Sequence, residues 1–265
     1  MNQYSVSQNV LAELRTFQTD HNWKTNEINV LDWGCGRGRT VAKLRELGFN
    51  AFGIEIDKTT MQNGFQLFQN RDMNPTEVLR HVDDVGSFPE GFFHFVCSEQ
   101  VFEHVADLNT VVAELARVTA VDGVGVHNFP SARCVMEEHL FMPFVHWLPK
   151  NLLRKVAIRL MLSLGQGPKP DWPEASGKTA TERAQVYFDY TVQRTFYRDI
   201  RDIVETFMSA GFEANATVGD NTTTWKRLLF PGYLNRNGFP NLRTTLITQR
   251  IHREECENAD PPHLQ

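Results

Sequence analysis

Acidic and glycine residues near the start of the chain have a spacing suited to ligand binding. An apolar run leads into Asp32, and Gly34, Gly36 and Gly38 follow it. Glycines let the backbone turn sharply and let a ligand approach main-chain atoms. The next apolar run ends at Glu55, and an acid about 20 residues after such a turn suits a pair of ribose hydroxyls. The pattern predicts a site for an adenosine-bearing cofactor.

The glycine spacing separates two classes of cofactor. A dinucleotide fingerprint has the form Gly-x-Gly-x-x-Gly, whereas Arg39 stands here at its third glycine position. With Asp32 and Glu55, the turn instead resembles the class I S-adenosylmethionine-dependent methyltransferases. The resemblance implies that Asp32 and the turn lie under the methionine end of the cofactor and that Glu55 holds the ribose. An oxidoreductase that uses a dinucleotide stays open as an alternative.

The resemblance continues over about residues 28–130. Asp83, Asp84 and Val85 follow the third apolar run, where this family places an acid near the adenine amino group. The stretch from Ser98 to Val105 is similar to small-molecule methyltransferases, including the ubiquinone-biosynthesis O-methyltransferases. The resemblance implies cofactor contacts from Asp32, Gly34, Cys35, Gly36, Gly38, Glu55, Ile56, Asp83 or Asp84, Val85 and Ser98. Two departures weaken a narrower assignment, His94 in place of the usual Asp and Val121-Asp122-Gly123 in place of Pro-Gly-Gly.

His104 is the candidate catalytic base. It comes just after the fourth strand, where ligands bind in open α/β sheets, and histidine titrates near neutral pH. Glu103 could orient it or face solvent. The alternative is a structural histidine that caps the next helix or fills the floor of the cleft. His127 and Asn128, at the end of the fifth strand, are weaker candidates for contacts with substrate.

His139 and His146 invite a metal interpretation, since Glu137 and Glu138 stand beside them. A separation of seven residues would place the two histidines on one helical face but two turns apart, and Pro143 disfavours a continuous helix between them. No metal site is therefore predicted.

Composition narrows the class of protein. The chain has 265 residues and a net charge of −5, so nucleic acid is a poor candidate for a partner. Its four cysteines form no Cys-x-x-Cys pair, which argues against structural zinc and fits a reducing compartment. The chain shows no secretion signal and no apolar run of about 20 residues, the length that spans a bilayer. A cytoplasmic protein is expected.

The alternation of apolar runs and helical patterns predicts an α/β fold with a doubly wound, mostly parallel, seven-stranded sheet and a helical cap inserted after the fifth strand. Strands are expected at 28–33, 50–55, 77–82, 92–98, 123–129, 212–218 and 242–251. Helices are expected from about 41, 58, 107 and 195. The predicted divisions are an N-terminal helix (1–27), the cofactor-binding core (28–130), the cap (131–190), the rest of the core (191–253) and a frayed tail (254–265). Residues 220–240 read as a second insertion.

The predicted cap is expected to select the substrate. It is rich in aromatic residues that could line a pocket, namely Trp147, Trp172, Tyr187, Phe188 and Tyr190. Residues 150–164 combine an apolar helical stripe with Lys150, Arg154, Lys155 and Arg159. Packing of this helix on the sheet domain is favoured. The alternative is a basic, apolar surface that makes peripheral contact with a membrane or a lipid-linked substrate.

The predicted activity is methyl transfer from S-adenosylmethionine to a small-molecule acceptor. Oxygen is favoured over nitrogen or carbon as the accepting atom. Two alternatives are methylation of a lipid- or sugar-linked acceptor at a membrane surface and a non-catalytic partner protein that only binds the cofactor. The sequence does not identify the acceptor or the oligomeric state.

Overall fold

A seven-stranded sheet forms the centre of the protein in the computed structural model, which describes residues 6–219 and 243–251. Its strands are β1 (Asn29–Trp33), β2 (Asn50–Glu55), β3 (Leu79–His81), β4 (Phe93–Glu99), β5 (Thr119–Pro130), β8 (Phe212–Gly219) and β9 (Arg243–Arg250). They lie in the order β3-β2-β1-β4-β5-β9-β8. All neighbours pair in parallel except β9, which is antiparallel to both β5 and β8. The predicted α/β fold with a mostly parallel sheet is confirmed.

Helices cover both faces of this sheet. They are α1 (Gln8–Asp20), α2 (Arg39–Glu46), α3 (Lys58–Gln62), α4 (Phe65–Gln69), α5 (Pro75–Val78), α6 (Leu108–Val118) and α9 (Ile200–Ser209). Leu14 of α1 and Leu44 of α2 belong to one buried apolar cluster, and Leu115 of α6 and Phe207 of α9 belong to another. Because both faces are covered, the central strands are apolar almost throughout.

The strand order reverses direction between β1 and β4. From β1 the chain moves outward through β2 to β3, then returns to the other side of β1 as β4. In open α/β sheets, ligands bind at the carboxyl ends of the strands beside such a reversal. The turn after β1 and the ends of β2 and β4 are therefore the place to look for a site.

Two local predictions between β2 and β4 are wrong. The helix expected from 58 is two short helices with Gly64 between them, at a point where an added Cβ would be 2.1 Å from the Arg37 carbonyl oxygen. The third strand begins at Leu79 rather than Glu77. Pro75 starts the short helix α5 before it, with the Asn74 side chain accepting a hydrogen bond from the Thr76 amide.

The segment after β5 contains the helix predicted within 150–164 and further regular structure that the sequence did not predict. It holds the short antiparallel pair β6 (Met136–Glu137) and β7 (Met142–Pro143), then α7 (Leu152–Ser163) and α8 (Ala180–Gln193). The strand pair and α8 were missed. Residues from all four elements bury a separate apolar cluster that includes Met142, Ile158 and Tyr187. The insertion expected at 220–240 and the tail from 254 lie outside the described residues.

Candidate cofactor and acceptor site

The glycine turn after β1 is attached to the end of β2. The amides of Gly34 and Cys35 both donate to the Ile54 carbonyl oxygen, at 2.8 and 2.9 Å. The φ angles of Gly34 and Gly36 are +77° and +54°, in the left-handed region that favours glycine. A Cβ at Gly36 would meet no atom nearer than 4.0 Å, so this part of the turn is open on its outer side. A cofactor could approach the main chain there.

Glu55 lies at the end of β2 with its carboxylate held in place. One oxygen accepts a hydrogen bond from the Gly36 amide at 2.8 Å, and the other accepts one from the Asp57 amide at 2.8 Å. Each carboxylate oxygen has a second lone pair, so the group can still accept from two neighbouring hydroxyls. This arrangement matches the ribose-binding role that the resemblance implies for Glu55.

Asp32 is a buried acid at the end of β1, with 4% of its surface exposed. The only hydrogen bond to its carboxylate among residues 6–219 and 243–251 comes from the Cys97 thiol at 3.9 Å, a weak donor. Burial, together with the carboxylates of Glu99 and Glu55, raises the pKa of Asp32 to about 7. A buried acid with so little compensation favours a cationic neighbour. The ammonium and sulfonium at the methionine end of S-adenosylmethionine would supply one.

The residues proposed for the adenine end lie after β3. Asp83 is exposed and lies 3.0 Å from His81 Nδ1, while His81 Nε2 lies 2.8 Å from the Ile56 carbonyl oxygen. Asp84 is also exposed, and Val85 packs against the apolar cluster that contains α6. Both acids are thus exposed after β3, Asp83 beside His81 and Asp84 one residue further on.

Ser98 and His127 contact each other rather than a ligand. The Ser98 hydroxyl lies 2.9 Å from His127 Nδ1, and each residue is 1% exposed. Burial lowers the pKa of His127 to about 3, so its ring is neutral. The structure therefore places His127 in the core, with the Ser98 hydroxyl as the neighbour of its Nδ1.

Glu99, directly after Ser98, was missed as a site residue although the strand end is the region that the family resemblance marks. Asn128 donates to its carboxylate at 3.1 Å and exchanges hydrogen bonds with Asn9 of α1. The Thr245 hydroxyl of β9 also donates to Asn128, at 2.8 Å. The fourth strand was predicted to end at 98, and an end one residue later would have included Glu99. No sequence pattern predicts the contact between Asn9 and Asn128.

The turn after β4 carries Glu103 and His104, and Arg198 holds it from outside. The Arg198 guanidinium donates to four backbone carbonyls, those of Phe102, Val105, Ala106 and Phe196, at 2.7–3.2 Å. The Phe196 amide donates to the Glu103 carbonyl oxygen at 2.6 Å. The chain that returns from the cap thus positions the turn with Glu103 and His104, the two residues that the sequence predicted for catalysis.

His104 lies against a second histidine from the cap. Its Nδ1 is 2.6 Å from the Arg194 carbonyl oxygen, and its Nε2 is 3.1 Å from Nε2 of His139. His139 Nδ1 in turn lies 3.1 Å from the Glu137 carboxylate, which also accepts a hydrogen bond from the Tyr197 hydroxyl at 2.8 Å. His104 therefore belongs to a network that joins the core to the cap, with a neighbour at each ring nitrogen.

Burial and the neighbouring charges shift the pKa of His139 in this network in opposite directions. Burial raises the pKa of Glu103 to about 7 and lowers the pKa of His104. Burial also opposes charge on His139, but the hydrogen bond and charge of Glu137 outweigh it and raise the pKa of that imidazole. The cluster is a polar site in which Glu103 is buried, His139 is partly buried and His104 is exposed.

The cap contributes fewer aromatic residues to this site than predicted. The Tyr190 ring packs against both His104 and His139, with centroids 6.4 and 5.5 Å away, and Trp172 packs on Tyr190. Tyr187 is buried within the cap, and the half-exposed Trp147 donates to the Ala132 carbonyl oxygen. Tyr190 is thus the member of the predicted set that borders the site.

Comparison with known proteins agrees with this geometry. A model of the methyltransferase domain matches residues 31–126, from the strand before the glycine turn to β5. The ubiquinone biosynthesis O-methyltransferase of Rickettsia typhi is 22% identical over 131 residues, which are 48% of this chain and 52% of that protein. The chain thus spans about half the length of this curated relative.

Solved structures show a similar fold over most of the chain. An S-adenosylmethionine-dependent methyltransferase from Mesorhizobium loti aligns with a TM-score of 0.51 and 14% identity, over 84% of this chain and 91% of that one. One from Methanosarcina mazei aligns with a TM-score of 0.52 and 17% identity, over 88% and 97%. Residues 31–126 thus match the methyltransferase domain, and the strand order and the glycine turn are those of the class I methyltransferase fold.

Proposed function

We propose that this protein transfers the methyl group of S-adenosylmethionine to an oxygen atom of a small-molecule acceptor. The observation that carries the proposal is the alignment of three acidic positions, Asp32, Glu55 and Asp84, at the ends of adjacent strands around an open glycine turn. They suit the methionine end, the ribose and the adenine of one extended cofactor. The buried thiols of Cys35 and Cys97 are in keeping with a cytoplasmic location.

The chain's contribution to such a reaction is mainly alignment. The bound cofactor supplies a methyl group already activated by its sulfonium, and the acceptor oxygen forms a bond to that methyl as the bond to sulfur breaks. Asp32 and the glycine turn would fix the sulfonium end, and Glu55 would fix the ribose. Holding the reacting atoms in line is worth several kcal/mol of the barrier, on the order of 7–11 in well-oriented systems. The cluster around His104 would face the acceptor, whose hydroxyl must lose its proton.

Calorimetric titration with S-adenosylhomocysteine tests the cofactor assignment. We expect one site per chain with micromolar affinity and no binding of a nicotinamide dinucleotide. Binding of the dinucleotide alone would favour the oxidoreductase. Binding of S-adenosylhomocysteine without methyl transfer to any phenolic, sugar or lipid-linked acceptor in a screen with labelled cofactor would favour the non-catalytic cofactor-binding protein.

A second proposal concerns where the acceptor is met, since α7 leaves an apolar row exposed. The exposed residues are Leu152, Leu153, Val156, Leu160 and Leu164, each 54–71% exposed. The four cations are less available than predicted. Arg154 is buried on backbone carbonyls, Lys150 and Lys155 donate to protein oxygens, and Arg159 is exposed. The apolar row supports contact with a lipid surface through acyl chains more than through charge.

We expect the protein to co-float with neutral phosphatidylcholine vesicles and to lose this binding when Leu153 and Leu160 are both changed to Glu. Val121→Glu is the matched control, because Val121 is 53% exposed in β5 and lies outside α7. The membrane proposal fails if the native chain stays with the soluble fraction. Among the described helices none is both long and apolar enough to cross a bilayer.

A further inference from the structure

The contact between His104 and His139 brings two hydrogen-bond acceptors together. The Arg194 carbonyl oxygen can only accept, so the proton of a neutral His104 ring lies on Nδ1. The same reasoning places the proton of His139 on Nδ1, facing the Glu137 carboxylate that the Tyr197 hydroxyl also contacts. The two Nε2 atoms, 3.1 Å apart, then direct lone pairs at each other. A proton or a metal ion between them is needed to make the contact favourable.

A third ligand lies beside this pair. Glu103 is 2% exposed, and its Oε2 has no hydrogen-bond partner in the part of the chain that the structure describes. Its Oε1 lies 3.9 Å from His104 Nε2, and one ligand atom from each of Glu103, His104 and His139 falls within 4.8 Å of the others. A buried carboxylate oxygen without a partner costs free energy that a cation would offset.

We propose that Glu103, His104 and His139 bind one divalent transition-metal ion, of the class of Zn²⁺, Fe²⁺ or Co²⁺. The site is distinct from the cofactor turn, and its existence does not depend on the methyl-transfer activity.

The donor set selects this class of ion. Two imidazoles and one carboxylate suit Zn²⁺ and its neighbours, whereas Mg²⁺ and Ca²⁺ prefer oxygen ligands alone. Two tetrahedral zinc–nitrogen bonds of about 2.0–2.1 Å place the nitrogens about 3.3 Å apart, close to the separation here. Three protein ligands leave a position open for water or for an acceptor oxygen.

The outer hydrogen bonds also match a metal site. Metal-binding histidines almost always donate their second ring nitrogen to a carboxylate or a backbone carbonyl, which orients the ring. His104 has the Arg194 carbonyl in that place and His139 has Glu137. The sequence prediction of no metal compared His139 with His146, whose ring instead packs on Tyr197 with centroids 4.8 Å apart. The histidine that pairs with His139 is His104, from the turn after β4.

A metal ion here would activate the hydroxyl of the acceptor. This part of the inference rests on the proposed methyl transfer. An acceptor hydroxyl bound at the open position would lose its proton more readily, since a divalent ion stabilises the alkoxide or phenolate. The proton would pass to solvent, and the oxygen would then take the methyl group. His104 would act as a ligand in place of a free base.

The direct test is calorimetric titration of the untagged, chelator-treated full chain with ZnCl₂ and with CoCl₂. We expect one equivalent of ion per chain and an affinity at least 100-fold lower in His104→Gln and His139→Gln, which keep most of the side-chain volume. His21→Gln is the matched control, because His21 is an exposed histidine that follows α1, with its Nδ1 3.0 Å from the Phe17 carbonyl oxygen. Thermal unfolding of each variant checks that it is folded.

Two further measurements separate a metal from a shared proton. The Co²⁺ form should show d–d absorption typical of a four- or five-coordinate nitrogen and oxygen site, and Glu137→Gln should weaken binding about tenfold by loosening His139. The proposal is overturned if the native chain binds no ion, or if the two ligand variants bind it as tightly as the native chain. Titration with S-adenosylhomocysteine on the same samples keeps the two proposals apart, because either ligand can bind without the other.

Discussion

Replacing Glu55 with alanine is expected to weaken the binding of S-adenosylhomocysteine about 100-fold. The carboxylate would bind two ribose hydroxyls, and each hydrogen bond to a charged group contributes about 1.5–3 kcal/mol. It is also held by the amides of Gly36 and Asp57, so the variant loses order in the glycine turn as well. Calorimetric titration at constant pH measures the change.

Glu55→Gln refines this test, because it keeps the shape of the side chain but has one acceptor oxygen in place of two. We expect a loss of about tenfold, intermediate between the native chain and the alanine variant. The control is Glu90→Ala, an exposed acid in the turn before β4. Unchanged affinity in Glu55→Ala would mean that the cofactor does not lie across the end of β2.

Cofactor affinity is expected to rise about tenfold between pH 6 and pH 8. Asp32 has a pKa raised to about 7, so its ionised fraction increases about tenfold over that range. The ionised form attracts the cationic methionine end of the cofactor, and the protonated form does not. Binding should therefore release a proton near pH 7, which calorimetry in buffers of different ionisation enthalpy detects.

Asp32→Asn should bind the cofactor more weakly at pH 8 and lose most of the pH dependence. The effect on folding has the opposite sign. Because the folded-state pKa of Asp32 lies above its ordinary value of 3.8, stability contributed by the protonated acid is lost as the pH rises from about 4 through 7. Removing the charge should thus increase the free energy of unfolding of the unliganded protein at pH 8 by on the order of 1–2 kcal/mol. This increase raises its Tm by a few degrees. Equal affinity of variant and native chain at pH 8 would contradict the assignment.

The sheet could be predicted because each strand is a continuous apolar run with clear stops. Gly48 and Gly211 end helices with φ angles of +92° and +86°, and Asp107 begins α6 by accepting from the Thr110 amide. These signals are local, so they survive in a single sequence. The positions of Asp32 and Glu55 at the ends of β1 and β2 could be predicted from the same strand boundaries.

Helix α8 was missed although a local signal was present. Thr179 and Glu182 form a capping box at its start, with each side chain bonded to the other residue's backbone amide. Its apolar face is interrupted by polar residues such as Asp189, which hid the helical period. The helix packs against α7, and that tertiary contact favours it beyond its own sequence preference.

The pairing of His104 with His139 could not be predicted from spacing. The two residues are 35 positions apart on different elements, and the contact depends on how β6 and the return from the cap lie against the turn after β4. The pKa of Asp32 is likewise a property of burial beside Glu99. Such features appear only when the chain is folded.

The hydrogen bond from the Ala132 amide to the Arg198 carbonyl closes the cap at its base. The chain leaves the sheet and returns to it at one point, so residues between these two can be lengthened, shortened or exchanged without moving the ends of β5 and α9. The choice of acceptor could therefore change through substitutions between Ala132 and Arg198 while the cofactor-binding half of the chain stays unchanged. The constraint falls on the neck, where Arg194 and Arg198 contact the turn that bears His104, and on the cap segment that carries Glu137 and His139.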